Sequence, residues 1–219
     1  FIEYPKQQLA FDATDSASSF PSSASPTSSS SLSRPSAASA ELRIFSRELS
    51  STGKRVFCGV PLRKFWEHYA ALRRWQRHHY EIIREGRPCR LYLDVEFYRE
   101  FNANLAGKEE SLMEELFQQV ADELQTSLGV LIGREAFLDL DSSTDKKFSR
   151  HVIVHMPGDQ LFRSNIDVGR VVRGVINRSP RKLWVETGGT SGRQRAHIVD
   201  DAVYTKNRAL RLYLSSKVG

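Results

Sequence analysis

Leu91-Tyr92-Leu93-Asp94-Val95-Glu96-Phe97 sets two carboxylates two residues apart within a run that otherwise reads as a buried β-strand. Side chains i and i+2 of a strand share a face. Cys89, Leu91, Leu93, Val95 and Phe97 therefore point together into a core. Asp94 and Glu96 stand on the opposite face, about 7 Å apart at Cα. Two anions held side by side on rigid backbone repel unless a cation sits between them, so this strand predicts a cation site.

The surrounding pattern is α+β. From Pro61 onward, Leu62, Phe65, Trp66, Tyr69 and Leu72 recur at helical spacing, with Pro61 suited to the first turn. Arg63, Lys64, Arg73, Arg74 and Arg77 give that helix a basic outer side. Leu112, Met113, Leu116, Phe117, Val120, Leu124 and Leu128 predict a second amphipathic helix, opened by the capping box Ser111-x-x-Glu114 and closed by Gly129. Strand-like segments at 89–97, 149–156, 196–200 and 209–214 suggest a sheet with helices on one face, leaving the other free for a ligand.

At 219 residues the chain is long enough for a full domain core, as one domain or two small ones. Its net charge of +6 and pI near 9.4 fit an anionic partner. Two cysteines, Cys58 and Cys89, make neither a four-ligand zinc site nor a disulfide framework, which points to a reducing compartment. No apolar run approaches membrane-spanning length and no signal-peptide pattern opens the chain, so no membrane association is expected. Residues 14 to 40 are mostly Ser, Ala, Thr and Pro and read as a disordered linker, with phosphorylation or a transit-peptide role as alternatives. The chain starts at Phe1 rather than Met and stops at Gly219 within what reads as continuing structure, so a fragment is expected.

Three further constellations carry chemistry. Lys147-Phe148-Ser149-Arg150-His151 begins a strand that sets Lys147, Ser149 and His151 on one face, a row of donors suited to phosphate oxygens. An isolated Ser-x-His also reads as two groups that satisfy each other or nearby backbone. Ile198-Val199-Asp200-Asp201 is an apolar run ending in acids. Alone it is a strand entering a turn, but a third carboxylate beside Asp94 and Glu96 would complete an oxygen-rich site for Mg²⁺ or Mn²⁺. Lys206, Arg208, Arg211 and Lys217 form a basic run that reads either as a solvated face or as the complement of a triphosphate. Acids, Lys-x-Ser-x-His, acid and then Arg/Lys describe a metal-dependent nucleotidyl transferase.

The strand at 91–97, the run Leu138-Asp139-Leu140-Asp141-Ser142-Ser143-Thr144-Asp145-Lys146-Lys147-Phe148-Ser149-Arg150-His151, and Val203 to Lys217 closely resemble the eukaryotic primase-polymerases of the archaeo-eukaryotic primase superfamily. The resemblance covers roughly residues 41 to 219. It implies an α+β catalytic core with an RRM-like mixed or antiparallel sheet and flanking helices. The implied organisation is a disordered segment at 1–40, an N-terminal helical, basic module at 41–88 and a catalytic module at 89–219, cut short at its end. Position by position, Asp94 and Glu96 match the family's Asp-x-Glu motif and Asp200 its third acid, which together would bind two Mn²⁺ or Mg²⁺ ions. Lys147, Ser149 and His151 match the nucleotide-contacting motif, with His151 aimed at the triphosphate. Arg208, Arg211 and Lys217 match residues contacting the incoming nucleotide, and Arg55 an arginine near template and nucleotide.

The implied partners are a DNA template and primer and dNTP or NTP, with single-strand-binding proteins reached through regions outside this chain. The implied setting is replication restart and damage tolerance in nucleus and mitochondrion. The segment between His151 and Asp200 is shorter than the family's usual one. The family's C-terminal zinc-binding domain, which supports priming, is not expected within this sequence, and neither is a zinc site. A metal-dependent nuclease and a non-catalytic nucleic-acid-binding module remain as alternatives.

Overall fold

The computed structural model describes residues 1–18, 32–33, 42–188 and 194–219. Among them the α-helices are α1 (Gln7–Ser18), α2 (Leu62–Ala71), α3 (Glu109–Leu128) and α4 (Asn165–Arg178). The strands are β1 (Leu32–Ser33), β2 (Leu42–Glu48), β3 (Arg55–Pro61), β4 (His79–Ile83), β5 (Leu91–Tyr98) and β6 (Phe137–Asp141). They continue with β7 (Lys147–Val154), β8 (Leu161–Phe162), β9 (Trp184–Thr187), β10 (Gln194–His197) and β11 (Arg208–Arg211). The α+β expectation holds, and the strand pairings are antiparallel. One sheet does not: the strands form a sheet of order β11-β4-β2-β3, a sheet of order β5-β7-β6, and two ribbons, β10-β9 and β1-β8.

The chain divides into two compact units. Among the described residues, one combines Phe1–Ser18 and Leu42–Glu85 with Lys206–Gly219, and the other is Gly86–Thr205 with Leu32–Ser33. This departs from a boundary near residue 88 with everything beyond it in one module. The reason is long-range pairing: β11 lies against β4, Arg211 opposite Tyr80 and Arg208 opposite Ile83.

In the first unit the four-stranded sheet has apolar residues on both faces. Phe45, Cys58 and Val60 on one face pack with Phe65 and Tyr69 of α2. Ile44 and Ile82 on the other pack with Ala10 and Phe11 of α1. Gly59 makes that second contact close, since a Cβ there would stand 2.2 Å from Thr14 Oγ1. Residues 1–40 are therefore not one disordered segment. Ala10 and Phe11 are buried and Tyr4 bridges Phe57, because the short apolar pair fills a sheet face that sequence near it does not reveal. The remainder of the proposed linker, 19–31 and 34–40, lies outside the described residues.

Two local expectations also change. Lys108, not Ser111, stands at the α3 N-cap, and no side chain caps it. Its first turn instead carries Glu109 and Glu110, which suit the positive end of the helix dipole and pair with Arg99 and Arg150. Gly129 closes α3 as expected, at φ 67°. Arg77 leaves the basic outer side of α2: its guanidinium donates to the carbonyls of Leu72 and Ala70 at 3.0 Å and lies over the Tyr69 ring.

In the second unit Leu91, Leu93, Val95 and Phe97 are buried on one face of β5, as their alternation predicts. α3 reaches the same sheet through Phe117 and Phe137, whose rings lie 4.5 Å apart. Arg150 of β7 is held by Asp139 at 2.9 Å, by Asp141 at 3.4 Å and by Glu110. α4, not foreseen, begins at Ser164, whose hydroxyl accepts from the Asp167 N–H at 3.3 Å, and buries Val168, Val171, Val172 and Val175.

Candidate active site

The site is built by register. β5 and β7 pair so that Asp94 faces His151, Glu96 faces Ser149 and Tyr98 faces Lys147. Alternation then sets Asp94, Glu96, Lys147, Ser149 and His151 on one face of the sheet. Burial on the other side fixes that register, because a one-residue slip would expose Leu93 and Val95.

Each carboxylate meets a group from β7. Lys147 Nζ donates to Glu96 Oε2, and these side chains are 31% and 38% exposed. His151 Nε2 stands 3.4 Å from Asp94 Oδ1, and both are largely buried. Ser149 is also buried, but it does not bond His151. It accepts from Ser142 Oγ at 3.0 Å, and its N–H donates to Ser143 Oγ at 3.0 Å. The run Asp141-Ser142-Ser143 is thus folded back onto β7, with Asp141 Oδ1 accepting from the Ser143 N–H at 2.8 Å.

Asp200 arrives from the other side. Its N–H donates to the Asp94 carbonyl at 2.9 Å, and Glu96 N–H donates to the Ile198 carbonyl at 2.9 Å. Val199 bridges Val95. Asp200 Oδ1 accepts from the Ala202 N–H at 2.9 Å, which caps a short 3₁₀ turn. Glu96, Asp200 and Asp201 line one cavity of about 430 Å³, together with His197 and Trp184. Beneath them Tyr204 is buried and donates to the Tyr92 carbonyl at 2.6 Å. Burial pushes its hydroxyl pKa well up, and Tyr92, Asp94, Asp200 and Asp201 push the same way.

His197 is a residue that sequence reasoning missed. It is buried, its Nε2 lies 3.0 Å from Ser179 Oγ, and its Nδ1 accepts from the Val199 N–H at 3.1 Å. With Nδ1 accepting, Nε2 carries the proton and donates to Ser179. Burial lowers its pKa to about 4, against a smaller opposing effect of Asp201. The neutral ring braces the segment that delivers Asp200. Its only sequence signal is its place just before Ile198-Val199-Asp200.

Asp94 and Glu96 supply the hard carboxylate oxygens that Mg²⁺ and Mn²⁺ take. The donor chemistry fits such an ion. However, no three His, Cys, Asp or Glu side chains converge closely enough to hold a metal among the described residues. The three acids are neighbours along the backbone without forming a closed ligand cluster.

The other predicted nucleotide contacts belong to the first unit. Arg55 lies over the Tyr80 ring at 4.1 Å and stands 3.8 Å from Glu48 Oε1, while Tyr80 donates to Glu48 Oε2 at 3.0 Å. Arg211 pairs in register with Tyr80 and shares its face. Arg208, three residues earlier on β11, faces the opposite side of the sheet. Lys217 is exposed beyond β11. The basic run is therefore not a single row.

No family model matches the chain. It is 33% identical over 211 residues to a DNA-directed primase/polymerase protein of Danio rerio, covering 82% of this chain and 40% of that protein. The Homo sapiens protein of the same description is 36% identical over 158 residues, covering 72% and 28%. That of Mus musculus is 28% identical over 212 residues, covering 76% and 39%. The chain thus spans two fifths or less of these curated relatives. No helix among the described residues is long and apolar enough to cross a membrane.

Proposed function

This chain is homologous over most of its length to the DNA-directed primase/polymerase proteins, and on that footing we propose that it performs template-directed nucleotidyl transfer on a primase-type core with an RRM-like sheet. A 3′-hydroxyl on the primer or first nucleotide attacks the α-phosphorus of a nucleoside triphosphate, and pyrophosphate leaves. The observation that carries the reading is the β5–β7 register, which aligns the two acids with Lys147 and His151, while Asp200 is bonded to the Asp94 backbone.

Asp94, Glu96 and Asp200 would hold the divalent cations. When bound, Mn²⁺ or Mg²⁺ supplies activation of the attacking hydroxyl and charge neutralisation at the leaving phosphates. Lys147 and His151 donate to the triphosphate, and Ser149 keeps the 142–143 turn against them. Arg55, Arg211, Arg208 and Lys217 are assigned to the nucleotide and template strand. Template bases specify the product, so the protein grips phosphate and sugar, and binding weakens with salt. Roles in replication restart and damage tolerance, and a nuclear and mitochondrial setting, belong to the same proposal.

The open arrangement of the three acids favours one second reading, a primase-like module that binds nucleic acid without catalysis. Primer extension with Mn²⁺ and dNTP separates the two: extension supports the first, and binding of a primed template without extension supports the second.

A further inference from the structure

Glu96 is the more exposed of the paired acids, and its partner is an amine that comes from the predicted triphosphate-binding strand. Lys147 sits in register with Tyr98 and reaches diagonally to Glu96, with Nζ also 5.6 Å from the centre of the Tyr98 ring. A half-exposed ion pair of this kind is weak and easily exchanged. The same ammonium cannot neutralise Glu96 and grip a triphosphate at once, and Glu96 cannot engage a divalent cation while Lys147 remains on it without strong like-charge repulsion.

We propose that Lys147 is an exchangeable counter-ion: it occupies Glu96 in the free protein and is released to the triphosphate when Glu96 takes a divalent cation. Metal and nucleotide binding are then coupled through one side chain, and each promotes the other by the same factor. His151 differs, because it is largely buried against Asp94 and stands opposite it in register. This inference rests on the nucleotidyl-transfer reading and assigns to Lys147 a role in the free protein that triphosphate contact alone does not require.

The test uses Mn²⁺ alone and inorganic tripolyphosphate, measured by calorimetry on the whole chain, so no turnover is needed. Lys147→Gln should bind Mn²⁺ about three- to tenfold more tightly than wild type, since a competing cation is gone. Lys147→Arg should stay within about twofold of wild type, because it keeps the charge. Without metal, Lys147→Gln should change tripolyphosphate affinity by less than about twofold, and with Mn²⁺ it should weaken it about tenfold or more. Glu96→Gln approaches the contact from the other side: Lys147 is released, so metal-free tripolyphosphate should bind more tightly.

Mn²⁺ binding that Lys147→Gln fails to tighten overturns the inference. So does an equal loss of tripolyphosphate affinity with and without metal, which marks a simple phosphate contact. No gain in Glu96→Gln overturns it as well. A wild-type chain that binds no Mn²⁺ removes both this inference and the nucleotidyl-transfer reading beneath it.

Discussion

His151 and Asp94 face each other across the β5–β7 ladder, with Nε2 of one 3.4 Å from Oδ1 of the other. The donor proposed for a triphosphate thus rests against the carboxylate proposed for a metal, and the same strand pairing positions both. Neither side chain has to travel along the sheet to change partner. In the proposed reaction the site needs only rotamer changes on a fixed frame, which is how rigid elements hold a constellation to productive geometry.

His151→Ala should raise the KM for dNTP about tenfold or more, the effect of losing a hydrogen bond to a charged group, with a smaller fall in kcat. Steady-state extension at varied dNTP measures the split. An unchanged KM contradicts the assignment.

Arg150 predicts a stability effect instead. Its guanidinium is the partner of Asp139, and both side chains are largely buried. Burial raises the Asp139 pKa, against the lowering effect of Arg150. Arg150→Met leaves that carboxylate without its cation and should cost about 3 kcal/mol of unfolding free energy. Denaturant titration of the variant checks this, and a change within about 0.5 kcal/mol of wild type would argue against the network.

His197 sets a pH dependence. Its folded pKa of about 4 lies below the ordinary 6.5, so between these values the unfolded chain binds more protons than the folded one. Stability contributed by the neutral ring is complete above pH 6.5 and is lost as pH falls toward 4. His79 acts in the same direction: burial, helped by Arg47 and His68, lowers it to about 4. His197→Asn keeps an acceptor for the Val199 N–H without a titrating ring. Its denaturation midpoint should fall less steeply than that of wild type between pH 6.5 and 4. Parallel slopes would remove His197 from the pH response.

Much of the acidic strand was legible because a period of two needs only local sequence. Leu91 to Phe97 assigned both faces of β5, and Lys147, Ser149 and His151 fell on the matching face of β7. What failed was whatever depended on distant partners. β11 reads as a continuation of the catalytic module, yet its hydrogen bonds go to β4, more than a hundred residues earlier. Arg208 and Arg211 read as neighbours in a basic run, but a spacing of three in a strand sends them to opposite faces. α1 was hidden because only two buried apolar residues, Ala10 and Phe11, carry its packing beside a Ser-rich stretch. α4 buries four valines, which favour strands when read in isolation.

In the proposed reaction Asp94 and Glu96 serve nucleotidyl transfer. The direct measurement is extension of a primed DNA template by this chain with Mn²⁺ and dNTP, beside Asp94→Ala/Glu96→Ala, with template binding followed in parallel. The wild-type chain should extend the primer, the double variant should lose about a hundredfold or more, and template binding should be retained or tighter once two negative charges are gone. Extension at the wild-type rate by the double variant would contradict that role.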